Sequence, residues 1–293
     1  MSKPLFTGVC TALVTPFING TVNYPLVDRL IQRQIDAKIP AVVLAGTTGE
    51  SPVLSDMEKL ELFKRGKQTA GDQCIIIAGT GSNSTEHAVA LSKAAQTVGA
   101  DALLLVAPYY NKGNQDSLYR HFATIAAAVS IPIILYNVPS RTGVDIPVAV
   151  YQKLSCIPNV IGVKEASSDV TKIAKIRCAC GNDFYIWTGN DDQIVPAISM
   201  GCKGVISVVS NLLPNETYRL AANALCGNFE TASMIQCQMT DLIGLLFNEV
   251  NPIPVKYAMK HLGFDCGGCR LPLGMPSVEL TQRIDEYFQH SRL

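Results

Sequence analysis

The stretch Ala102-Leu-Leu-Leu-Val106, followed by the segment Gln115–Val129 and then by Ile133-Ile-Leu-Tyr136, contains the pattern that decides the fold. The first and last parts are continuous apolar runs, which are typical of parallel strands buried on both faces. The segment between them has helical periodicity. Together they predict a strand, a crossover helix and a second strand parallel to the first.

The same unit recurs along the chain. Helical segments separate the apolar runs, and Ser55 with Glu58 three residues later forms a capping box at the start of one of them. The apolar runs predict eight strands, at Val9–Val14, Ala41–Ala45, Ile75–Ala78, Ala102–Val106, Ile133–Tyr136, Val160–Lys164, Tyr185–Thr188 and Val205–Val209. Eight strand–helix units favour a closed TIM (β/α)8 barrel of the α/β class, and an open doubly wound sheet is the alternative.

The alternation of strands and helices ends near Cys226. Beyond it we find only helical periodicity, in the segments Phe229–Asn248, Pro254–Leu262 and Ser277–His290. We therefore predict a barrel catalytic domain at residues 1–226 and a C-terminal three-helix appendix at residues 227–293.

Composition excludes several classes of protein. Of the 293 residues, 48% are hydrophobic and 16% are charged, which excludes a disordered chain. The 24 basic and 24 acidic residues balance, so the chain has no basic surface for nucleic acid. No run reaches the roughly 18 apolar residues that span a membrane. No export signal is clear, so we expect a cytoplasmic protein whose ten cysteines are free thiols, and no metal site.

Lys164 is the sharpest candidate for chemistry, because active residues of a parallel barrel lie at the carboxyl ends of its strands. It follows Val160-Ile-Gly-Val163, at the end of a strand that should be buried. Burial disfavours the ammonium form of a lysine, and the neutral amine can form a Schiff base with a ketone or aldehyde. The alternative is a structural ion pair with Glu165, and the segment alone leaves both open.

Other strand ends carry polar groups that suit a small acid. Gly46-Thr-Thr-Gly49 offers backbone N–H groups and two hydroxyls to a carboxylate or phosphate, unless it is an ordinary turn. Tyr109, Tyr110 and Tyr136 are predicted at one rim, where a phenol can relay a proton or simply pack. Arg141 can hold a carboxylate with two hydrogen bonds, or lie in solvent.

Five segments together resemble the dihydrodipicolinate synthase family of pyruvate-dependent class I aldolases, and the resemblance covers essentially the whole chain. The wider family includes N-acetylneuraminate lyase and shares the lysine and the Gly-Thr-Thr-Gly-Glu loop. The arginine of the third segment belongs to the synthase branch. The segments are Gly46-Thr-Thr-Gly-Glu-Ser51, Tyr109-Tyr-Asn111, Tyr136-Asn-Val-Pro-Ser-Arg-Thr-Gly143, Gly162-Val-Lys-Glu-Ala166 and Asn251-Pro-Ile-Pro-Val-Lys256.

The resemblance implies the activity of a 4-hydroxy-tetrahydrodipicolinate synthase in lysine and diaminopimelate biosynthesis. The substrates would be pyruvate and L-aspartate 4-semialdehyde, and no cofactor would be needed besides the Schiff base between pyruvate and Lys164. Thr47 and Thr48 would bind the pyruvate carboxylate. Tyr136, Thr48 and Tyr110 would form a proton relay, with Tyr110 reaching across from the neighbouring subunit of a homodimer or of a homotetramer built from two dimers.

Three further residues complete the implied site. Arg141 would hold the carboxylate of the semialdehyde, while Gly189 and Ile206 would line the site through backbone carbonyls. Arg141 disfavours the alternative of an aldolase acting on a sugar acid. The lysine and the hydroxyl relay disfavour a catalytically silent barrel that only binds carboxylates. The absence of a glycine-rich loop after the seventh or eighth strand disfavours a phosphate-binding barrel.

The resemblance also implies a regulatory site at the dimer interface, where feedback-sensitive relatives bind free lysine. In this chain Lys59 stands in place of a histidine, and His87 stands in place of the glutamate that would pair with the α-amine of the ligand. The ammonium of Lys59 would repel a cationic ligand. We therefore expect inhibition by lysine to be weak or absent.

Overall fold

The computed structural model describes residues 3–290 of the chain. All eight predicted strands are present, and a short hairpin that the periodicity did not predict follows the first. The strands are β1 Gly8–Ala12, β2 Phe17–Ile18, β3 Thr21–Val22, β4 Ala41–Leu44, β5 Ile75–Gly79, β6 Ala102–Val106, β7 Ile133–Asn137, β8 Val160–Glu165, β9 Tyr185–Thr188 and β10 Gly204–Ser207.

Eight of these strands close into a parallel barrel, in the order β1, β10, β9, β8, β7, β6, β5 and β4, with β4 paired again to β1. The prediction of a TIM barrel is confirmed. The register places Tyr136 of β7 beside Lys164 of β8, and Asn137 beside Glu165. Because successive side chains of a strand point to opposite faces, one pair faces the barrel interior and the other faces the surrounding helices.

Helices cover the outside of the barrel. As predicted, the second begins with a capping box, in which Ser55 and Glu58 each accept a backbone N–H of the other. The helices are α1 Tyr24–Asp36, α2 Asp56–Ala70, α3 Thr85–Thr97, α4 Gln115–Ala127, α5 Pro139–Thr142, α6 Val148–Leu154, α7 Thr171–Cys180, α8 Ile194–Ser199, α9 Pro214–Leu225, α10 Phe229–Leu246, α11 Ile253–Ala258 and α12 Val278–His290.

The three predicted helices of the C-terminal region are α10, α11 and α12, and a 3-10 turn, Met259–Leu262, continues α11. Helix α10 packs on α8 and α9, so the appendix is joined to the barrel wall. The division into domains at residue 226 stays a prediction. Within the described range, no helix is both long and apolar enough to cross a membrane.

The barrel interior is filled with side chains at its amino end. Phe6, just before β1, stacks on Trp187 with the ring centroids 4.8 Å apart, and the indole N–H of Trp187 donates to the Phe6 carbonyl. Cys10, Ile134 and Ile206 belong to the same buried cluster. Because this end is closed by packing, the carboxyl end of the barrel is where a substrate can enter.

Candidate active site

Lys164 lies near the carboxyl end of β8 with only 5% of its surface exposed. Its Nζ atom is 4.4 Å from the centre of the Tyr136 ring. The strand pairing that sets Tyr136 beside Lys164 fixes this approach, because the two residues are direct neighbours across β7 and β8. The amine and a phenol-bearing ring therefore share the barrel interior.

Glu165 faces away from Lys164 and has other partners. Its carboxylate accepts hydrogen bonds from Asn137 Nδ2 at 2.8 Å and from the Tyr151 hydroxyl at 3.3 Å. The ammonium of Lys172 lies 3.8 Å from it. Burial first, and then the Glu165 carboxylate, raise the pKa of Tyr151 well above its ordinary value, so this phenol stays protonated. The alternative of a Lys164–Glu165 ion pair is wrong.

Gly189 gives Lys164 the space that it occupies. A Cβ atom on residue 189 would lie 2.8 Å from Cε of Lys164 and 2.6 Å from Cβ of Ala166, closer than real contacts of this kind. The position directly after β9 therefore requires glycine, which has no side chain. Ile206 is fully buried in the interior cluster, on the barrel strand next to β9.

The loop after β4 brings Thr47 and Thr48 to the mouth of the barrel. Thr48 is buried, and its hydroxyl accepts a hydrogen bond from Nδ2 of Asn251 at 3.0 Å. Thr47 is half-buried and lines the cavity described below. Asn251 begins one of the segments that carry the family resemblance, but its contact with Thr48 is not evident from the sequence, because the two residues are 203 positions apart.

A buried ion pair holds the end of the same loop. Glu50 has a left-handed backbone, with φ of 58°, and its carboxylate lies 2.8 Å from Nζ of Lys256. Lys256 also donates to the carbonyls of Thr15 and Gly268, and the second Glu50 oxygen accepts the N–H of Arg270. Because both charges are paired and hydrogen-bonded, the pair can persist without water.

Arg141 lies in the short helix α5, at the rim of the same cavity. Its Nη2 donates to the carbonyl oxygen of Asn251 at 2.9 Å. The side chain is otherwise exposed. Asn251 thus contacts both Thr48 and Arg141, through its side chain and its main chain respectively.

The two adjacent tyrosines after β6 point in different directions. Tyr109 is half-buried and lines the cavity. Tyr110 is 89% exposed and has a left-handed backbone, with φ of 69°, and it does not line this cavity. Within one chain, Tyr110 therefore does not join Tyr136 and Thr48. The relay through Tyr110 of a neighbouring subunit stays a prediction.

A cavity of about 520 Å³ is lined by Thr47, Tyr109, Tyr136 and Arg141. Of the other predicted site residues, Lys164, Thr48, Gly189 and Ile206 are not among its lining residues. The cavity extends from Tyr136 and Arg141 to a second group of polar side chains at its far side. There, Nε2 of His87 lies 2.8 Å from the carboxylate of Asp56, and Nζ of Lys59 lies 3.9 Å from the same carboxylate. Burial lowers the pKa of Lys59, and Asp56 opposes this shift.

Other ionisable groups inside the barrel are held neutral or capped. Burial raises the pKa of the Cys10 thiol well above its ordinary value, so Cys10 does not compete with Lys164 as a nucleophile. The carboxylate of Asp191 is buried and accepts the N–H groups of Val208 and Val209 at 2.9 and 2.8 Å. Among residues 3–290, no three acidic, histidine or cysteine side chains converge to hold a metal ion.

A closed parallel barrel with a buried lysine beside a phenol-bearing ring, and with Thr47 and Arg141 lining an open cavity at its mouth, has the architecture of a barrel lyase. The chain belongs to the Dihydrodipicolinate synthetase family, whose sequence profile matches residues 5–290.

Similar proteins agree along almost the full length. A 4-hydroxy-tetrahydrodipicolinate synthase of Acetivibrio thermocellus is 45% identical over 291 residues, which are 99% of this chain and 98% of that one. The crystal structure of dihydrodipicolinate synthase from Aquifex aeolicus superposes with a TM-score of 0.95 at 41% identity, covering 97% of each chain. The enzyme from Cyanidioschyzon merolae, solved with lysine bound, gives a TM-score of 0.94 at 40% identity, again with 97% coverage of both chains.

Proposed function

We propose that this chain is a lyase that condenses pyruvate with L-aspartate 4-semialdehyde, the reaction of a 4-hydroxy-tetrahydrodipicolinate synthase. Family membership and the names of the full-length relatives support this activity. The observation that carries the mechanism is the buried amine of Lys164. It lies 4.4 Å from the Tyr136 ring centre, and the carboxylate beside it in sequence is bound elsewhere.

In the first step the amine of Lys164 attacks the ketone carbon of pyruvate. The carbonyl oxygen leaves as water once it has been protonated, and the product is a Schiff base. Tyr136, whose ring centre lies 4.4 Å from Nζ of Lys164, supplies the proton. The hydroxyls of Thr47 and Thr48 hold the pyruvate carboxylate. No external cofactor enters this step.

In the second step the Schiff base loses a proton from the pyruvate methyl group and becomes an enamine. The enamine carbon attacks the aldehyde of the semialdehyde, whose carboxylate is held by Arg141. The amine of the semialdehyde then displaces Lys164 and closes the ring. Holding both partners beside each other replaces a bimolecular encounter, an effect worth up to about 7–11 kcal/mol in well-oriented cases.

The site is completed in an assembly of at least two subunits. Tyr110 extends into solvent in the single chain, with 89% of its surface exposed. A phenol in this position can serve the site of a neighbouring copy, where it would extend the relay of Tyr136 and Thr48. The protein is therefore a homodimer or a homotetramer made of two dimers.

The test is to trap the Schiff base. The protein is incubated with pyruvate, reduced with borohydride, and digested for mass spectrometry. We expect one adduct, on Lys164. Lys164→Ala should form no adduct and lose condensation activity, while Lys175→Ala, which changes an exposed lysine of α7, should retain both. An adduct on another lysine, or no adduct at all, would contradict a mechanism in which Lys164 forms the Schiff base.

A further inference from the structure

We propose that Asn251 is a positioning residue of this reaction, which sets the direction in which the Thr48 hydroxyl gives its proton. The inference rests on the proposed function. It is based on one observed contact, in which the side-chain amide of Asn251 donates to Thr48 Oγ1 at 3.0 Å. Asn251 is 5% exposed and Thr48 is 2% exposed, so water does not compete for either group.

The direction of this hydrogen bond decides what Thr48 can do. A hydroxyl has one proton to donate and lone pairs that accept. Because Asn251 Nδ2 occupies a lone pair, the proton of Thr48 stays free for another acceptor. In the proposed relay that acceptor is the phenol of Tyr136 or of Tyr110 from a neighbouring subunit. The opposite direction would give that proton to the amide oxygen and remove Thr48 from the relay.

The side-chain oxygen of Asn251 has no hydrogen bond, and this supports a functional reason for the orientation of the amide. Among the described residues, Oδ1 of Asn251 is buried and has no hydrogen-bond partner. A buried acceptor without a donor is unfavourable and calls for a reason. Turning the amide over would satisfy this oxygen with the Thr48 proton, but it would bring the amide NH2 group to the buried position that has no partner.

Asn251 is held firmly enough to act in this way. Five residues later in the chain, Lys256 forms the buried ion pair with Glu50. Thr48 and Glu50 belong to one loop, so the segment 251–256 contacts that loop at two points, through Asn251 and through Lys256. The carbonyl of Asn251 also accepts the bond from Arg141. Since this last contact uses the main chain, substitutions of the side chain leave it in place.

Two substitutions separate a positioning role from a merely structural one. Asn251→Leu is similar in size and removes the hydrogen bond. Asn251→Asp keeps the shape and can keep a hydrogen bond to Thr48, but only with Thr48 as the donor. If the bond is merely structural, Asp is tolerated. If its direction matters, we expect kcat to fall by between about 10- and 100-fold in both variants, a share of what proton transfer contributes.

The measurement compares kcat, which should fall, with the KM for the semialdehyde, which should stay nearly constant. We expect the KM for the semialdehyde to change by less than about threefold in Asn251→Leu, because Arg141 keeps its main-chain contact. Trapping of pyruvate on Lys164 by borohydride should still go to completion. Asn248→Leu is the matched control, since Asn248 is an exposed asparagine three residues earlier, and it should behave as the unchanged protein.

A double-mutant cycle with Thr48→Val completes the test. If Asn251 acts through Thr48, Asn251→Leu should lower kcat by less than about twofold when Thr48 is already valine. Full additivity of the two losses, or a wild-type kcat in Asn251→Asp, would overturn the proposal. Failure of the proposed function is a different result, because the unchanged protein would then show no condensation.

Discussion

Gly189 and Lys164 share one space at the mouth of the barrel, and this makes Gly189 a sensitive position for activity. In Gly189→Ala the new Cβ would lie 2.8 Å from Lys164 Cε, so the lysine side chain has to move. Overpacking of this kind costs about 1–3 kcal/mol, and here it falls on the reacting amine. We expect a large loss of kcat with a modest fall in melting temperature, measured by steady-state kinetics and thermal unfolding.

Gly244→Ala is the matched control for that prediction. Gly244 lies in α10, and an added Cβ would meet nothing within 4 Å. Alanine in a helix interior is favoured over glycine by roughly 0.5–1 kcal/mol, so the control should be slightly more stable and fully active. Wild-type activity in Gly189→Ala would show that Lys164 has more freedom than the structure indicates.

Arg141 should select the second substrate and not the first. A charge-assisted contact to a carboxylate is worth about 1.5–3 kcal/mol, so Arg141→Ala should raise the KM for the semialdehyde at least tenfold and lower kcat. Pyruvate should still be trapped on Lys164. Arg120→Ala, at an exposed arginine of α4, serves as the control. An equal loss of pyruvate trapping would contradict this role.

The sequence reveals some residues of the site and hides others, for a physical reason. Lys164 and the threonines can be recognised because polar groups after apolar runs mark the functional end of a barrel. Asn251, Glu50 and Lys256 lie within segments that carry the family resemblance, but their contacts cannot be predicted, because they join positions more than 200 residues apart. The outward direction of Tyr110 likewise depends on a left-handed backbone that its side chain does not favour.

At the scale of secondary structure, the predictions succeed where an element is long enough to show a period. All eight barrel strands and helix α4 lie within about two residues of the predicted bounds. The hairpin β2–β3 was not predicted, since each strand has only two residues. The one-turn helix α5 was missed for the same reason, although it carries Arg141.

The contact between α3 and α4 contains a histidine that should make stability depend on pH. Nδ1 of His121 lies 2.9 Å from the hydroxyl of Thr85, and Nε2 is buried without a partner within residues 3–290. Burial lowers the pKa of His121 from 6.5 to about 4. The unfolded chain therefore binds a proton more readily, and the contribution of neutral His121 is lost as pH falls from 6.5 through 4.

We expect the free energy of unfolding to fall by up to about 2 kcal/mol between pH 6.5 and 5, at about 1.4 kcal/mol per pKa unit. Urea denaturation at several pH values measures it. His121→Gln should flatten this slope, while His290→Gln, at an exposed histidine, should keep it. Glu58, whose pKa is lowered to about 2 chiefly by Arg270, loses its contribution only below about 4.5. An unchanged slope in His121→Gln would assign the effect to other groups.

At the scale of the whole molecule, the exposed Tyr110 predicts that two inactive variants can restore each other. Tyr110→Phe and Lys164→Ala should each be inactive alone. In a mixed dimer, one site combines an intact Lys164 with an intact Tyr110 from the other chain. Equal mixing of dimers makes half of them mixed, so activity should reach about a quarter of the wild-type value. No recovery after verified subunit exchange would place Tyr110 within its own site.

The charges at the far side of the cavity predict weak feedback by lysine. Lys59 and His87 both lie within ion-pair distance of the Asp56 carboxylate, so this carboxylate already has partners. A cationic amino acid would meet the Lys59 ammonium and find no free carboxylate at residue 87. We expect no inhibition by L-lysine below about millimolar concentration, since one missing charge-assisted contact already costs tenfold or more in affinity. The assay is condensation with added lysine.

Lys59→His offers the matched gain of function for this prediction, because it replaces the repelling ammonium with an imidazole ring. It should lower the lysine concentration needed for inhibition. Potent inhibition of the unchanged protein would instead indicate that Asp56 or Glu86 receives the ligand.

The buried pairing of Glu50 with Lys256 has a consequence for synthesis of the chain. On the ribosome, the barrel strands emerge long before residue 256 does, and until then the Glu50 carboxylate has no cation to join it in the interior. An unpaired buried charge is strongly unfavourable, at about 3–5 kcal/mol. The loop after β4, which carries Thr47 and Thr48, therefore cannot adopt its final conformation until α11 has left the exit tunnel. A nascent chain acquires its binding site only when translation is nearly finished.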